Sequence, residues 1–296
     1  MSSAAAPVPD AFEANRDHVF GVAYRMLGRV AEAEDVVQDT WLRWQAADRD
    51  TVRSPRAYLG TVAGRLALDR LRSARHQREV YVGPWLPEPL ITSVDADPAA
   101  WSETADTLTF GFLLVLERLE PLERAVFLLR EVFGYPYAEV AATVDRSESA
   151  CRQIAHRAKA RVRDEGRSPT ARRVEDFDGA DRVAGALVVA TMSGDMAAVQ
   201  QLLSEDIVVR SDGGRDHHAA RRPVVGRHRA SRLLVNLTAR LGADAQFEFV
   251  RANGDPAVLV RSPSGTPTLL VAFTVRGEQV EAVHAIVNPE KLTHLA

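Results

Sequence analysis

The stretch that most constrains this chain runs from Tyr135 to Arg163 (YPYAEVAATVDRSESACRQIAHRAKARVR). A short helical run over 138–143 meets a polar turn at Asp145 and Arg146. Ser147 stands where an N-cap belongs, able to accept from the free N–H groups of a following helix. In that helix Cys151, Ala155, Ala158 and Val162 recur at a spacing that buries one side. The other side presents Arg152, Gln153, His156 and Arg157, then Lys159, Arg161 and Arg163. The pattern predicts a helix-turn-helix whose second helix fits the major groove of DNA. Arg157 and Lys159 suit phosphates, whereas Arg152 and Gln153 suit base edges. The bland alternative is a solvated helix face. Against it, carboxylates are scarce along this helix, although the whole chain is acidic.

Net charge places limits on that reading. The 296 residues carry 37 Lys and Arg against 40 Asp and Glu, a formal charge of −3. Nucleic-acid contact must therefore come from local basic faces rather than bulk charge. Almost all the cations are Arg, which favours bidentate contacts. The length predicts two or three domains. Cys151 is the single cysteine. It reads as a small core residue, and no Cys/His cluster has zinc spacing, so neither a metal nor another cofactor is expected. The N-terminus (MSSAAAPVPD) lacks the layout of a secretory signal, and no apolar run reaches membrane-spanning length. These features predict a cytoplasmic protein with no membrane partner.

The chain from Phe12 to about Gln77 reads as helical. Val30, Ala33, Val37, Trp41 and Trp44 form an expected buried stripe, with Asp35, Gln38 and Asp39 as an acidic patch opposite. Ser54-Pro55 opens another helix, with Pro at the first helical position. Arg65, Asp69, Arg72 and His76 share a second basic face, on which Asp69 is expected to orient the two arginines. Prolines 84, 87 and 89 then break the helix within VYVGPWLPEPLITSVDADPAAW. Trp85, Leu86 and Leu90 are costly to leave in water, so this linker is expected to dock on something. Helical periodicity resumes from Glu103, and Pro121 restarts a helix that Gly134 and Pro136 end. A Gly- and Pro-broken polar segment near 165–176 marks a boundary. Beyond it, a helix is expected over 181–203, a strand over 207–210 and a helix over 230–241. Alternating strands follow over 246–251, 258–262, 268–275 and 280–287, with turns at Asn253-Gly254, Ser264-Gly265 and Gly277. The tail reads as α+β, a curved antiparallel sheet with a pocket.

Three separated segments, AEDVVQDTW (33–41), SPRAYLGTVAGRLALDRLRSARHQRE (54–79) and LEPLERAVFLLREVFGYPYAEVA (119–141), resemble a bacterial extracytoplasmic-function sigma factor. The remainder resembles a SnoaL-like domain of the nuclear-transport-factor-2-like superfamily. The combination is similar to a sigma-factor subfamily with a fused SnoaL-like extension, marked by WLPEP, DGGGK-like and NPDKL-like motifs. Trp85, Leu86, Pro87, Glu88 and Pro89 match the first fully. Asp212, Gly213 and Gly214 match the second in part, with Arg215 and Asp216 where the family tends to have Gly and Lys. Asn288, Pro289, Glu290, Lys291 and Leu292 match the third with one acidic exchange. The implied fold is two all-α sigma domains, the second with a helix-turn-helix, followed by an α+β cone. The expected boundaries are 10–78 for the first helical domain, 79–102 for the linker, 103–165 for the second and 177–292 for the cone.

The resemblance implies roles. Asp35, Gln38 and Asp39 would meet core RNA polymerase. Arg65, Asp69, Arg72, Arg75 and His76 would read and help melt the promoter −10 element, and the loop over 47–53 would hold an extruded base. Ser147, Arg152, Gln153, His156, Arg157, Lys159 and Arg161 would serve the −35 element. Core polymerase fixes the spacing of the two domains, which makes promoter binding bivalent. The WLPEP, DGG and NPEKL residues would regulate in cis, with room for a small-molecule effector in the cone. Two other classes stay open. One is catalysis in the cone through Asp212, His217, His218 or His284, which a non-enzymatic reading denies. The other is a helix-turn-helix regulator that binds DNA without polymerase.

Overall fold

Gly28 separates the first two helices: at φ 67° it adopts the left-handed geometry that glycine tolerates, and its N–H closes on Tyr24 O. Before it lies α1 (Arg16–Leu27) and after it α2 (Val30–Gln45). The computed structural model describes residues 10–79, 81, 83–92, 108–164, 177–215, 219–242 and 244–296, with backbone only at 74–79, 92, 164 and 177. The chain divides into two units, Met1–Gln77 with Val115–Arg167, and Arg78–Leu114 with Ser168–Ala296.

In the first unit, α1 packs on α2 and against the π turn of a second helical group, and α3 (Pro55–Glu79) lies between them in the chain. That group is α5 (Pro121–Phe127), a π-helical turn at Leu128–Val132, α6 (Tyr137–Val144) and α7 (Glu148–Asp164). Short α4 (Phe110–Leu116) precedes it in the chain. Pro121 occupies the first turn of α5, and Glu120 with Glu123 completes a reciprocal capping box. The stripe of α2 differs from expectation. Ala33, Val36, Val37, Thr40 and Trp44 are buried, while Trp41 and Leu42 are 37% and 52% exposed. Position 40 completes the 3.6-residue period better than 41, and Thr40 is small enough to hide there.

Two buried arginines tie the helices of this unit together. Arg124 donates from Nε and Nη2 to Arg25 O at 3.1 and 2.9 Å, and from Nη1 to Glu117. Arg25 lies over the Phe133 ring at 5.4 Å, and burial lowers its pKa to about 10. His18 Nε2 and Tyr135 Oη are 2.7 Å apart. Burial first, then Arg56 and Arg25, lower the His18 pKa to about 4, while burial raises that of Tyr135 to about 12. Gly60 gives α3 room for this contact, and Gly64 gives it room for Thr143 and Leu129. A Cβ on Gly60 would stand 1.8 Å from Tyr135 Oη.

The second unit is a seven-stranded sheet in the order β1-β4-β5-β6-β7-β2-β3. Its strands are β1 (Ile91–Thr92), β2 (Leu203–Asp212), β3 (Val224–Val225), β4 (Gln246–Ala252), β5 (Asp255–Arg261), β6 (Pro267–Arg276) and β7 (Gln279–Ile286). Asn253 and Gly254 both take positive φ, 56° and 79°, as a two-residue hairpin turn requires. All neighbours pair antiparallel except β2 and β7, which run parallel, so the sheet is mixed rather than purely antiparallel. The long helix expected over 181–203 is two: α8 (Phe177–Ser193) and α9 (Met196–Leu202). Gly194 at φ 72° stops the first, and the Asp195 carboxylate caps the second through the N–H groups of Ala197 and Ala198. Helix α10 (Arg227–Thr238) completes the layer.

Period-2 alternation gives the sheet two apolar faces. One packs Val209, Val258, Val260, Phe273 and Val283 against the helices. The other packs Val250, Leu259, Leu270 and Ile286 against Leu86, Phe110 and Leu292. The proline-rich linker is thus part of a core. Leu86 has no exposed surface, a burial that stabilises by about 1.5–3 kcal/mol. Ile91 and Thr92 extend the sheet by pairing with Ala252 and Arg251.

Candidate functional site

Helix α7 begins as its sequence predicts, with Ser147 Oγ accepting from Ala150 N at 3.2 Å after a left-handed Asp145 at φ 54°. Cys151, Ile154, Ala155, Ala158 and Val162 are buried against the rest of the unit, and burial pushes the Cys151 thiol pKa up. Arg152, Gln153, His156 and Arg157 line one shallow exposed surface. The charge balance differs from the sequence expectation. Arg152 pairs with Glu148 at 2.7 Å, Lys159 with Glu131 at 2.6 Å, and Arg161 with Glu123. Glu123 and Glu131 come from α5 and the π turn, so the fold supplies carboxylates that the helix's own sequence window lacks. Arg152 also lies 5.1 Å from the Tyr137 ring centroid.

On α3 the second basic face is arranged otherwise than expected. Asp69 pairs with Arg72 at 3.6 Å, but Arg65 donates to Ala142 O of α6 at 2.5 Å. Asp69 therefore orients one arginine, and Arg65 is held by a helix from the other end of the unit. The side chains of Arg75 and His76 lie outside the described residues. On α2 the acidic patch has a cation that the sequence reading missed. Arg70 reaches Asp35 at 3.1 Å and Asp39 at 2.7 Å, while Gln38 is exposed beside them. The loop over 47–53 contains a 3-10 turn at Arg49–Thr51 and places the Arg49 guanidinium 5.4 Å from the Trp44 ring centroid.

A third group, in the second unit, gathers residues far apart in sequence. Asp212 ends β2 and is fully buried. Its Oδ2 accepts from Lys291 Nζ and from Leu86 N, each at 2.7 Å. Its Oδ1 accepts from Tyr81 Oη at 2.5 Å and Gly214 N at 3.2 Å. Lys291, 3% exposed, donates also to Leu86 O and sits 4.3 Å from the Trp85 ring centroid and 5.1 Å from that of Tyr81. One ammonium thus faces a carboxylate, a carbonyl and two aromatic rings, a fully furnished site for a buried charge. Burial, reinforced by Asp212, pushes the Tyr81 hydroxyl pKa upward.

The neighbouring motif residues serve this cluster. Asp212 O accepts from Val287 N at 2.8 Å and Asn288 N at 3.0 Å. Asn288 caps the turn Pro289–Lys291 through Glu290 N and donates Nδ2 to Tyr81 Oη at 3.0 Å. Gly214, at φ +64°, lies so close to Asn288 that a Cβ would meet its Nδ2 at 2.8 Å. Further along the linker, Pro87, Glu88 and Pro89 are buried, His294 Nε2 reaches Pro89 O at 2.8 Å, and Leu90 exchanges hydrogen bonds with Asn253. Tyr81 and His294 were not singled out from sequence, where nothing distinguishes them from surface polar residues, and Asn253 was read only as a turn residue.

Of the groups considered for catalysis, two are described. Asp212 belongs to the cluster with Lys291. His284, fully buried in β7, stacks on Phe110 with centroids 5.6 Å apart. Asp216, His217 and His218 lie outside the described residues. The concave side of the sheet holds a cavity of about 430 Å³, and no Asp, Glu or His is among its described lining residues. No described helix is long and apolar enough to cross a membrane.

The Sigma-70 region 2 family matches residues 11–77, and Sigma-70 region 4 matches residues 111–162. Over 291 residues the chain is 38% identical to a Mycobacterium tuberculosis protein named ECF RNA polymerase sigma factor SigJ, covering 95% of this chain and 92% of that one. It is 30% identical over 295 residues to the same organism's probable ECF RNA polymerase sigma factor SigI, covering 98% and 96%. The crystal structure of M. tuberculosis SigJ aligns with a TM-score of 0.76 at 35% identity, covering 95% of this chain and 97% of that one.

Proposed function

Since the chain belongs to the extracytoplasmic-function RNA polymerase sigma factors, we propose that it recruits core polymerase through α2 and reads promoters through α3 and α7, under control of its own C-terminal domain. Asp35, Gln38 and Asp39 form the polymerase-facing patch, extended by exposed Trp41 and Leu42. An acidic face ending in exposed apolar side chains suits a protein partner. Arg65, Asp69 and Arg72, with Arg75 and His76, face the −10 element. Ser147, Arg152, Gln153, His156, Arg157, Lys159 and Arg161 face the −35 element. The bond from Arg65 to Ala142 O draws one −10 residue onto the −35 domain. The two promoter elements lie apart along the duplex, so engaging both requires that contact to part.

The observation that carries in-cis control is the Asp212–Lys291 pair closed over the backbone of Leu86. It ties the segment joining the two promoter-binding domains to the C-terminal domain. While Trp85–Pro89 stays docked, the connecting chain is short and its reach restricted. Release of the cluster frees the linker and lets the domains spread on polymerase. The C-terminal domain, SnoaL-like in its sequence, acts here as a regulator with a small-molecule effector rather than as an enzyme, and the protein works in the cytoplasm where polymerase is. Run-off transcription with purified core polymerase tests this reading. Trp85→Ala, or truncation before Asn288, should change promoter-dependent output from the full chain. Unchanged output from both defeats in-cis control, and promoter binding without polymerase defeats the sigma-factor assignment of the helices.

A further inference from the structure

The cavity between the concave face of the sheet and helices α8 and α10 has a composition that selects its occupant. Its walls are aliphatic and aromatic, among them Leu187, Leu234, Val260, Val271 and Phe273. Two wall hydroxyls are already committed to helix carbonyls, Thr191 to Val188 O at 2.8 Å and Thr238 to Leu234 O at 2.9 Å. Ser211 adds one more hydroxyl. At the rim, Met192, Leu237 and Phe247 are 55%, 41% and 37% exposed, an apolar mouth that water solvates poorly. The cation among the described lining residues is Arg240, exposed and without an ion pair among the described residues. An apolar chamber whose described lining carries one guanidinium is complementary to an acyl chain ending in a carboxylate. Water in bulk takes about 30 Å³ and a methylene is of similar size, so the cavity holds roughly a dozen to fifteen methylenes.

The cavity also shares its sheet strands with the linker cluster. Ser211 on β2 and Val287 just after β7 line it, and Asp212 and Asn288 are the next residues along each segment. Successive side chains alternate across a sheet, so one residue of each pair faces the cavity and the next faces the cluster. The two segments are joined at this point by Val287 N and Asn288 N, both bonded to Asp212 O. Filling the cavity therefore bears on the backbone that carries Asp212.

We propose that this cavity binds a medium-chain fatty acid, chain inward and carboxylate on Arg240, and that its occupancy firms the Asp212–Lys291 hold on the linker. The proposal builds on the C-terminal domain being the regulator, but its test uses no polymerase, so its outcome is independent of the transcription result. Calorimetric titration of the full chain with dodecanoate should show saturable binding. Methyl dodecanoate, or dodecanoate with Arg240→Gln, should bind about fivefold more weakly, the usual worth of one exposed charge-assisted pair. Arg240→Gln should not affect the ester. Val271→Trp obstructs the chamber and should weaken binding of acid and ester alike. At dodecanoate about ten times its Kd, amide hydrogen exchange of the 81–90 segment should slow by up to about tenfold, and not in Val271→Trp. Equal affinity for acid and ester overturns the role of Arg240. Absence of saturable binding overturns the site, and a stable dimer that seals the mouth does the same by assigning it to a second copy. Binding without altered exchange overturns the coupling.

Discussion

Replacing Lys291 by Met keeps the length and apolar stem of the side chain and removes only the ammonium. In the native chain that ammonium sits 2.7 Å from Asp212 Oδ2 with the two residues 3% and 0% exposed. Breaking a buried pair from one side typically costs about 3–5 kcal/mol, because the remaining charge stays buried without its partner. Here Tyr81 Oη, Leu86 N and Gly214 N still donate to the carboxylate, which places the cost near the lower end, at about 3 kcal/mol. For a unit of this size such a loss lowers the melting temperature by about 6–12 °C. Adding Asp212→Asn should recover part of the loss, since the neutral amide tolerates the site without a cation. A double-mutant cycle by thermal and urea unfolding should thus give a favourable coupling of at least about 1.5 kcal/mol. Trp85 provides a local probe, because the ammonium lies 4.3 Å from its ring centroid and its removal should change the indole environment. A loss below about 1 kcal/mol, additive with Asp212→Asn, would refute the claim that this pair holds the linker.

Three further outcomes follow from the first unit. Gly60→Ala normally gains about 1 kcal/mol of helix propensity; here its Cβ would be 1.8 Å from Tyr135 Oη and 3.0 Å from His18 Nε2, so unfolding should show a loss and solution scattering a more open chain, whereas a raised melting temperature contradicts the packing. The His18 pKa falls from 6.5 to about 4 on folding, so the unfolded state binds the proton more tightly and stability, full above pH 6.5, declines as pH drops toward 4. That decline should amount to on the order of 2 kcal/mol after discounting for solvent screening, and unfolding of His18→Gln should lack it over the same pH range. Arg157→Gln should weaken holoenzyme binding to all −35 sequences alike and lower the salt-dependence slope by about 1, measured by titration at several salt concentrations; a sequence-selective loss would move Arg157 to the base edges.

What the sequence determined by itself is local in origin. The Ser147 cap, the Asp145 turn, the stripe from Cys151 to Val162, the Asn253-Gly254 hairpin and the period-2 strands each depend on residues a few positions apart, within reach of backbone propensity and side-chain spacing. The motifs at Trp85, Asp212 and Asn288 were also visible, but as three separate stretches. Only the tertiary structure joined them, because Lys291 and Asp212 stand 79 residues apart and Leu86 another 126 from Asp212. Folding likewise chose which cations were neutralised: Arg70 on Asp35 and Asp39, Arg161 on Glu123, Lys159 on Glu131. The split between α8 and α9 turned on Gly194 and Asp195, a local signal that continuous apolar periodicity hid. Charge pairing and cavity shape depend on which surfaces meet in space, and a one-dimensional pattern carries no record of that until hydrophobic burial has brought distant strands and helices together.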